Sequence, residues 1–273
     1  RQRQLADFHG RFMAGTANRG VPPDRAEAVW QMMMSFSGYS FCKPHSASYA
    51  RVSFQAAFLK THHPAEFMAG VISNQGGFYS TFAYVSEARR MGLTVDPPDV
   101  NTSAIRWTGR GRRLQVGLMA VQGIGSRTLA RIVASRQTMP FRDMADFLDR
   151  VEPDENEARA LVHCGALDTL DIGRSRTRLR WSLARWLTER GRPKRQASLF
   201  TTPLLDPALV SAPEFPPTPP PTRLRREFAV LGFLCDRHPI TLFAGPINAL
   251  GTVKAAHLRR WVGRRVTLAG WLV

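Results

Sequence analysis

The residues with the clearest chemical meaning lie in Val121-Gln-Gly-Ile-Gly-Ser-Arg-Thr-Leu-Ala-Arg-Ile-Val133. Gly123 and Gly125 flank Ile124, and the pattern then turns helical, with Leu129, Ile132 and Val133 on one apolar face and Arg127 and Arg131 on another. A glycine hairpin that opens a helix lets the backbone approach a phosphate, and the N–H groups at the helix start point toward its charge. Contacts of this kind hold a sugar-phosphate backbone without reading its bases. Gly123, Ile124, Gly125, Ser126, Arg127 and Arg131 are the residues expected to bind nucleic acid, with Arg136 adding charge to the same footprint. The plainer alternative is a helix start that merely needs a tight turn.

A different chemistry is written in Gln196-Ala-Ser-Leu-Phe200, which stands shortly before the proline-rich run Phe215-Pro-Pro-Thr-Pro-Pro-Pro221. Leu199 and Phe200 are unfavourable in water unless they enter an apolar pocket, and Gln196 can hydrogen-bond beside them. Gln196, Ser198, Leu199 and Phe200 therefore read as a peptide anchor for a partner, against the alternative of an amphipathic end that folds back on its own domain. Arginines crowd residues 174–195: Arg174, Arg176, Arg178, Arg180, Arg185, Arg190, Arg192 and Arg195, joined by Lys194. Such a run is usually a solvated helix face, and its nearness to the glycine hairpin favours a surface that tracks DNA. Catalytic constellations are absent from the sequence. There is no Asp-x-Asp to hold paired magnesium ions, and Glu152, Asp154, Glu155 and Glu157 read as favourable charge at a helix start rather than a metal site. His45, His62 and His63 have no matching Cys or Asp partners.

Helices must position these groups. One is expected after Asp24 as N-cap, with Val29, Met32, Met33 and Phe36 at near-helical spacing; a turn follows through Gly38 and Pro44. Further helices are expected over residues 46–61, from Pro64, and over 84–91, then an extended Leu93-Thr-Val95 and a non-helical Asp96-Pro-Pro-Asp-Val100. Weak alternation over 105–119 around Gly109 and Gly111 predicts a small β-hairpin. Met144, Phe147 and Leu148 mark the helix after the glycine hairpin, followed by helices over 156–164 and 176–190, the last with Leu179, Leu183, Trp186 and Leu187 on one face. Residues 191–222 read as an extended, solvated linker, 223–232 as a helix, and 264–273 as the beginning of a β-rich element.

Bulk composition agrees with a nucleic-acid partner. The 273 residues are 44% hydrophobic, enough for two or three domains. Lys and Arg number 38 against 21 Asp and Glu, a net +17 carried mostly by arginine, whose planar fork suits phosphate oxygens. Charge alone does not separate nucleic acid from an acidic membrane surface, but no helix pairs a strong apolar stripe with flanking basic residues. Cys42, Cys164 and Cys235 lie far apart, which argues against a zinc site or a disulfide framework and for a reduced, cytoplasmic compartment. No apolar stretch has the length of a membrane span, so no membrane partner is expected, and a chain that begins without Met is expected to be a fragment.

The run Phe36-Ser-Gly-Tyr-Ser-Phe-Cys-Lys-Pro-His-Ser-Ala-Ser-Tyr49, continued by Ser53-Phe-Gln55, Leu59-Lys60 and His63-Pro-Ala-Glu-Phe-Met68, resembles the fingers segment of bacterial C-family DNA polymerases, the family of the polymerase III alpha subunit. Pro97-Pro-Asp-Val-Asn101, Gly117-Leu-Met-Ala-Val-Gln-Gly-Ile-Gly125, Pro140-Phe141, Gly165-Ala-Leu-Asp168, Leu231-Gly-Phe233 and His238-Pro239 follow in the family's order. The resemblance implies a mainly α fold with a small β component. It places the end of the fingers at residues 1–75, a tandem helix-hairpin-helix domain at 76–190, and a clamp-binding peptide with its proline-rich linker at 191–222. A connecting helical segment at 223–249 and the start of an OB-fold barrel at 250–273 complete the order.

The resemblance also implies a template-directed nucleotidyltransferase, in replication or repair, as the parent. Lys43, His45 and Ser46 would lie near the incoming nucleotide or template, and residues 196–200 would bind the bacterial sliding clamp. Primer-template duplex, single-stranded DNA at the OB-fold and deoxynucleoside triphosphates are the implied ligands, with Mg2+ for the parent. The family's palm aspartates are not in this sequence, so the portion alone is expected to need no cofactor and not to polymerise. Cys42-Lys43-Pro44-His45 departs from the familiar Asn-Lys-Ser-His, which leaves Cys42 and Pro44 without a transferable role. The competing reading is a stand-alone, non-enzymatic repair adaptor built from the same DNA-binding and clamp-tethering modules.

Overall fold

The computed structural model describes residues 2–35, 43–75, 78–171, 173, 175–190 and 215–271. It divides into two compact units, residues 1–57 and 58–273. In the first, helices α1 (Gln2–Ala17) and α2 (Pro23–Ser35) pack through His9, whose ring meets Trp30 at 4.9 Å and whose Nε2 lies 2.7 Å from Glu27 Oε2. Pro23 takes the first helical position, where a missing N–H is harmless, so Asp24 sits inside the first turn and is not the expected N-cap. Met32 and Met33 share a helix face with Val29 as expected, but that face is exposed.

Helix α3 (Lys43–His62) begins earlier than the expected residue 46, because Pro44 is tolerated in a first turn. Helix α4 (Pro64–Ser73) starts at the expected proline, and α5 (Thr81–Arg90) is capped by Ser80, whose hydroxyl accepts the Ala83 N–H. Strands β1 (Thr94–Asp96), β2 (Thr108–Arg110) and β3 (Arg113–Gln115) form a sheet of order β1-β3-β2. The expected hairpin is β2 with β3, antiparallel, with Gly109 opposite Leu114. Strand β1 adds a parallel pairing to β3, with Val95 opposite Leu114, that local alternation did not announce. Leu114 is fully buried, and α4 lies so close to the sheet that a Cβ on Gly109 would overlap the Ala65 carbonyl group.

Helices α6 (Ser126–Thr138), α7 (Met144–Val151), α8 (Glu155–Cys164) and α9 (Arg176–Arg190) follow, then α10 (Pro220–Leu231) and the short α11 (Ala244–Ala249). Met144, Phe147 and Leu148 are buried, as are Leu179 and Leu183, while Trp186 and Leu187 pack against the same core. The motif segments converge here. Asn101 both donates to the Phe141 carbonyl (2.9 Å) and accepts the Phe141 N–H (2.8 Å), the Val100 N–H reaches the Ala166 carbonyl (2.9 Å), and Thr169 Oγ1 donates to Asp99 (2.6 Å). Asp99 also accepts the N–H groups of Asn101 and Thr102, so one loop joins α7, α8 and the sheet.

Residues 220–222, expected in the linker, form the first turn of α10; residues 191–214 lie outside the described part. The β-rich start expected at 264–273 is not formed over its described part, 264–271, where one bond, from Val253 N–H to Thr267 O at 2.9 Å, replaces a ladder. A strand needs a row of partners for its alternating N–H and C=O groups, and a single bond is too few. Instead Trp271 packs among Phe82, Phe228, His238 and Phe243.

Replacing Gly109 by Ala is expected to lower stability by about 1–3 kcal/mol, because the methyl must displace helix backbone. Gly70→Ala, in the middle of α4 with no atom within 4 Å of a new Cβ, is expected to be neutral or to stabilise by up to ~1 kcal/mol. Urea midpoints of the two variants measure the contrast.

Candidate nucleic-acid interface

Two glycines shape the hairpin ahead of α6 for different reasons. Gly123 has φ +85°, a conformation that L side chains rarely adopt, yet a Cβ there would meet nothing within 4 Å. Gly125 has an ordinary φ of −77°, but its Cβ would come 3.3 Å from Glu157 Oε1. Between them Ile124 packs on the core, and Val121 is buried. The Gln122 N–H donates to the Val230 carbonyl of α10 at 3.1 Å. Apolar side chains thus anchor the hairpin while its two glycines stay exposed.

Glu157 is the residue the sequence reading placed too generally. Its buried carboxylate accepts the Gly125 N–H (2.8 Å), the Thr128 hydroxyl (2.8 Å) and the Asp154 N–H (3.0 Å). Asp154 in turn accepts the Glu157 N–H at 2.8 Å, a reciprocal capping box at the start of α8. Asp154, Glu155 and Glu157 stand at the start of α8, as expected of charge near a helix dipole, whereas Glu152 is the left-handed C-cap of α7 and pairs with Arg131; the Asp-x-x-Glu spacing is the signal for the cap. Nothing in the local sequence showed that the Glu157 carboxylate reaches α6. One consequence is that the Gly125 N–H is already bonded within the protein. The first-turn N–H groups of Ser126 and Arg127 have no intrahelical acceptor, and both residues are exposed.

The three arginines differ. Arg127 is exposed and forms no ion pair among the described residues. Arg131 donates to Glu152 Oε2 at 3.0 Å and to the Arg150 carbonyl at 3.3 Å. Arg136 donates to the Val100 carbonyl at 2.8 Å, and burial lowers its pKa, so its head serves the loop beneath the helix instead of the expected footprint. Arg127, Thr128, Arg131, Glu152, Asp154 and Glu157 line a cleft of about 410 Å3.

A second glycine turn follows α8, with Gly165 at φ +88° as its left-handed cap. Here a Cβ would overlap the Arg176 guanidinium, which lies across the turn bonded to both oxygens of Asp168 and to the His163 carbonyl. The second turn is covered where the first is open. Within the arginine run, Arg176 is therefore an internal group, Arg178 pairs with Asp171 at 3.2 Å, and Arg185 lies over Trp181. His163 is held neutral: burial first, then the charges of Arg226, Arg180, Arg159 and Arg176, lower its pKa to about 4.

Lys43, His45 and Ser46 occupy the first turn of α3, in the first unit, with the exposed His45 ring edge-on to Tyr49 at 4.5 Å. Gln196, Ser198, Leu199 and Phe200 lie outside the described residues. Among the described residues no group of three or more His, Cys, Asp or Glu comes together to hold a metal ion. No described helix is long and apolar enough to cross a membrane.

Residues 92–179, which contain both turns, match the family model of the helix-hairpin-helix motif. The chain is 35% identical over 256 residues to the DNA polymerase III subunit alpha of Thermus aquaticus, covering 90% of this chain and 20% of that protein. It is 31% identical to the error-prone DNA polymerase of Corynebacterium efficiens over 273 residues, 98% of this chain and 24% of the relative. This chain belongs with the DNA polymerase III alpha subunits and error-prone DNA polymerases. A third member of that group, the DNA polymerase III subunit alpha of Pseudomonas fluorescens, is 38% identical over 172 residues, 61% of this chain and 15% of the relative. The chain spans about a fifth of the length of these polymerases.

Glu157→Ala should destabilise by about 2–3 kcal/mol, since it strands the Thr128 hydroxyl and the Gly125 N–H, and Glu157→Gln by less. Chemical denaturation gives the ranking, and faster amide exchange at Gly125 in the Ala variant locates the cause. A pH effect follows from His163. The unfolded ring takes a proton near 6.5 and the folded ring only near 4, so stability falls as pH drops through that window, by on the order of 3 kcal/mol across all of it. His163→Gln is expected to flatten this slope in melts between pH 6.5 and pH 4.

Proposed function

We propose that this chain is the DNA-handling part of a C-family polymerase, holding primer-template duplex behind the polymerising centre. The observation that carries the reading is the open first hairpin: exposed Gly123 at positive φ, the first-turn N–H groups of Ser126 and Arg127, and the exposed Arg127 side chain, without an ion pair among the described residues, beside them. This arrangement offers hydrogen bonds and positive charge to a phosphate, the kind of contact that holds a nucleic-acid backbone. The kinship with DNA polymerase III alpha subunits and error-prone DNA polymerases supports the same reading.

Around that centre the proposal assigns further roles. Lys43, His45 and Ser46 lie near the nucleotide or template, with deoxynucleoside triphosphates and Mg2+ belonging to the parent's palm. Residues 196–200 tether the parent to the sliding clamp, and the segment from 250 belongs to a single-strand-binding OB-fold. The portion alone does not polymerise. A clamp-tethered repair adaptor built from the same modules remains the second reading. An upstream open frame encoding an aspartate-bearing palm decides between them.

Duplex binding is expected to weaken steeply with salt and to vary little among unrelated sequences. Arg127→Ala should reduce the slope of log affinity against log salt by about 1. Arg131→Ala should change it less, because Glu152 already neutralises that head. Fluorescence anisotropy titrations over a salt series measure this; salt-independent binding, or equal slopes for Arg127→Ala and the unaltered chain, contradicts the proposal. Leu199→Ala with Phe200→Ala is expected to abolish binding to a bacterial sliding clamp in surface plasmon resonance, and unchanged affinity removes the clamp assignment.

A further inference from the structure

A cationic cleft lies on another part of the same unit. It is lined by His163 of α8, Arg176 and Arg180 of α9, Thr218, and Arg223 and Arg226 of α10, and it has about 210 Å3 of empty space including its open mouth. No carboxylate lines it. Arg176 is committed to Asp168, with Glu227 3.6 Å away, and Thr218 shares a hydrogen bond with Thr177 at 2.7 Å. Arg180, Arg223 and Arg226 have no ion-pair partner among the described residues.

Two observations show that this grouping is unbalanced as it stands. The Nε2 atom of His163 is buried without a hydrogen-bond partner, although buried polar atoms are nearly always satisfied. Arg180 is disfavoured as a cation by burial and then by the charges of Arg226 and Arg159. Like charges brought together from two helices are relieved by one anion. Arg223 and Arg226, three apart on α10, present their heads on one side, and Arg180 approaches from α9. Guanidinium forks arriving from different directions suit an anion with several oxygens, which a tetrahedral phosphate supplies. The enclosed floor has room for about one water, so the anion sits at the mouth, where Arg180 and Arg223 are exposed.

We propose that this cleft is a phosphate-binding site, with Arg180, Arg223 and Arg226 as ligands and His163 at its floor. The phosphate comes either from a nucleic-acid backbone, which rests on the reading given above, or from a free polyphosphate, which does not. Occupancy would pin α10, which also carries the Val230 carbonyl that holds Gln122, to α8 and α9.

Thermal melting of the chain in sodium tripolyphosphate, against sodium chloride of equal ionic strength, tests the site. The melting temperature is expected to rise with the logarithm of tripolyphosphate concentration, and the His163 ring resonances to shift in NMR. Both responses should vanish in Arg180→Gln/Arg226→Gln, and shrink in Arg180→Gln alone, whose exposed head leaves the fold intact. Equal melting in the two salts, or an undiminished response in the variants, overturns the proposal. Duplex titrations of the same variants then separate the sources: a reduced salt slope identifies a backbone phosphate, and an unchanged one a free polyphosphate. A failure of the hairpin reading appears as an unaltered slope in Arg127→Ala and leaves the tripolyphosphate result standing.

Discussion

A buried carboxylate with three hydrogen bonds holds the open glycine hairpin of this chain in shape. Glu157 accepts from Gly125 and Thr128 at the start of α6 and from Asp154 at the start of α8, so two helices that diverge in sequence are locked at their N-termini. The group is shielded from water, where hydrogen bonds count for most. The geometry of the hairpin follows. Gly125 must lack a side chain because the carboxylate is already there, Gly123 must be glycine because the chain has to turn back, and Ser126 and Arg127 are left facing outward.

That division between internal and external groups runs through the whole interface. The first glycine turn is open, and the second is closed by Arg176 on Asp168. Arg131 and Arg136 serve Glu152 and Val100, leaving Arg127 as the cation of α6 without an ion pair among the described residues. A chain with such an excess of arginine therefore uses many of its cations to brace loops and helix ends. Three of the segments that resemble the polymerase family meet in one hydrogen-bonded junction: Asp99, Val100 and Asn101 join Phe141 and Ala166, with Thr169 beside them.

Much of this was legible in the sequence wherever a local rule sufficed. The spacing of Leu179, Leu183, Trp186 and Leu187 gave α9 its span, Pro64 marked the start of α4, and Gly123 with Gly125 marked the hairpin. Long-range pairings were not legible: β1 finds β3 across the intervening hairpin, and Glu157 finds Gly125 from thirty-two positions away. Nor does composition reveal which arginine heads fold inward, since Arg127 and Arg136 are the same residue type on one helix. The β-rich end expected over 264–273 depended on partner strands that the described residues do not supply, and Trp271 joins an aromatic cluster instead.

Amide hydrogen exchange across residues 118–131, with and without duplex DNA, addresses the central claim most directly. The account predicts that DNA slows exchange at Ser126 and Arg127, whose N–H groups face outward, and leaves Gly125, already bonded to Glu157, nearly unchanged. Protection confined to other parts of the chain, with Ser126 and Arg127 exchanging as fast as in the free protein, would contradict it.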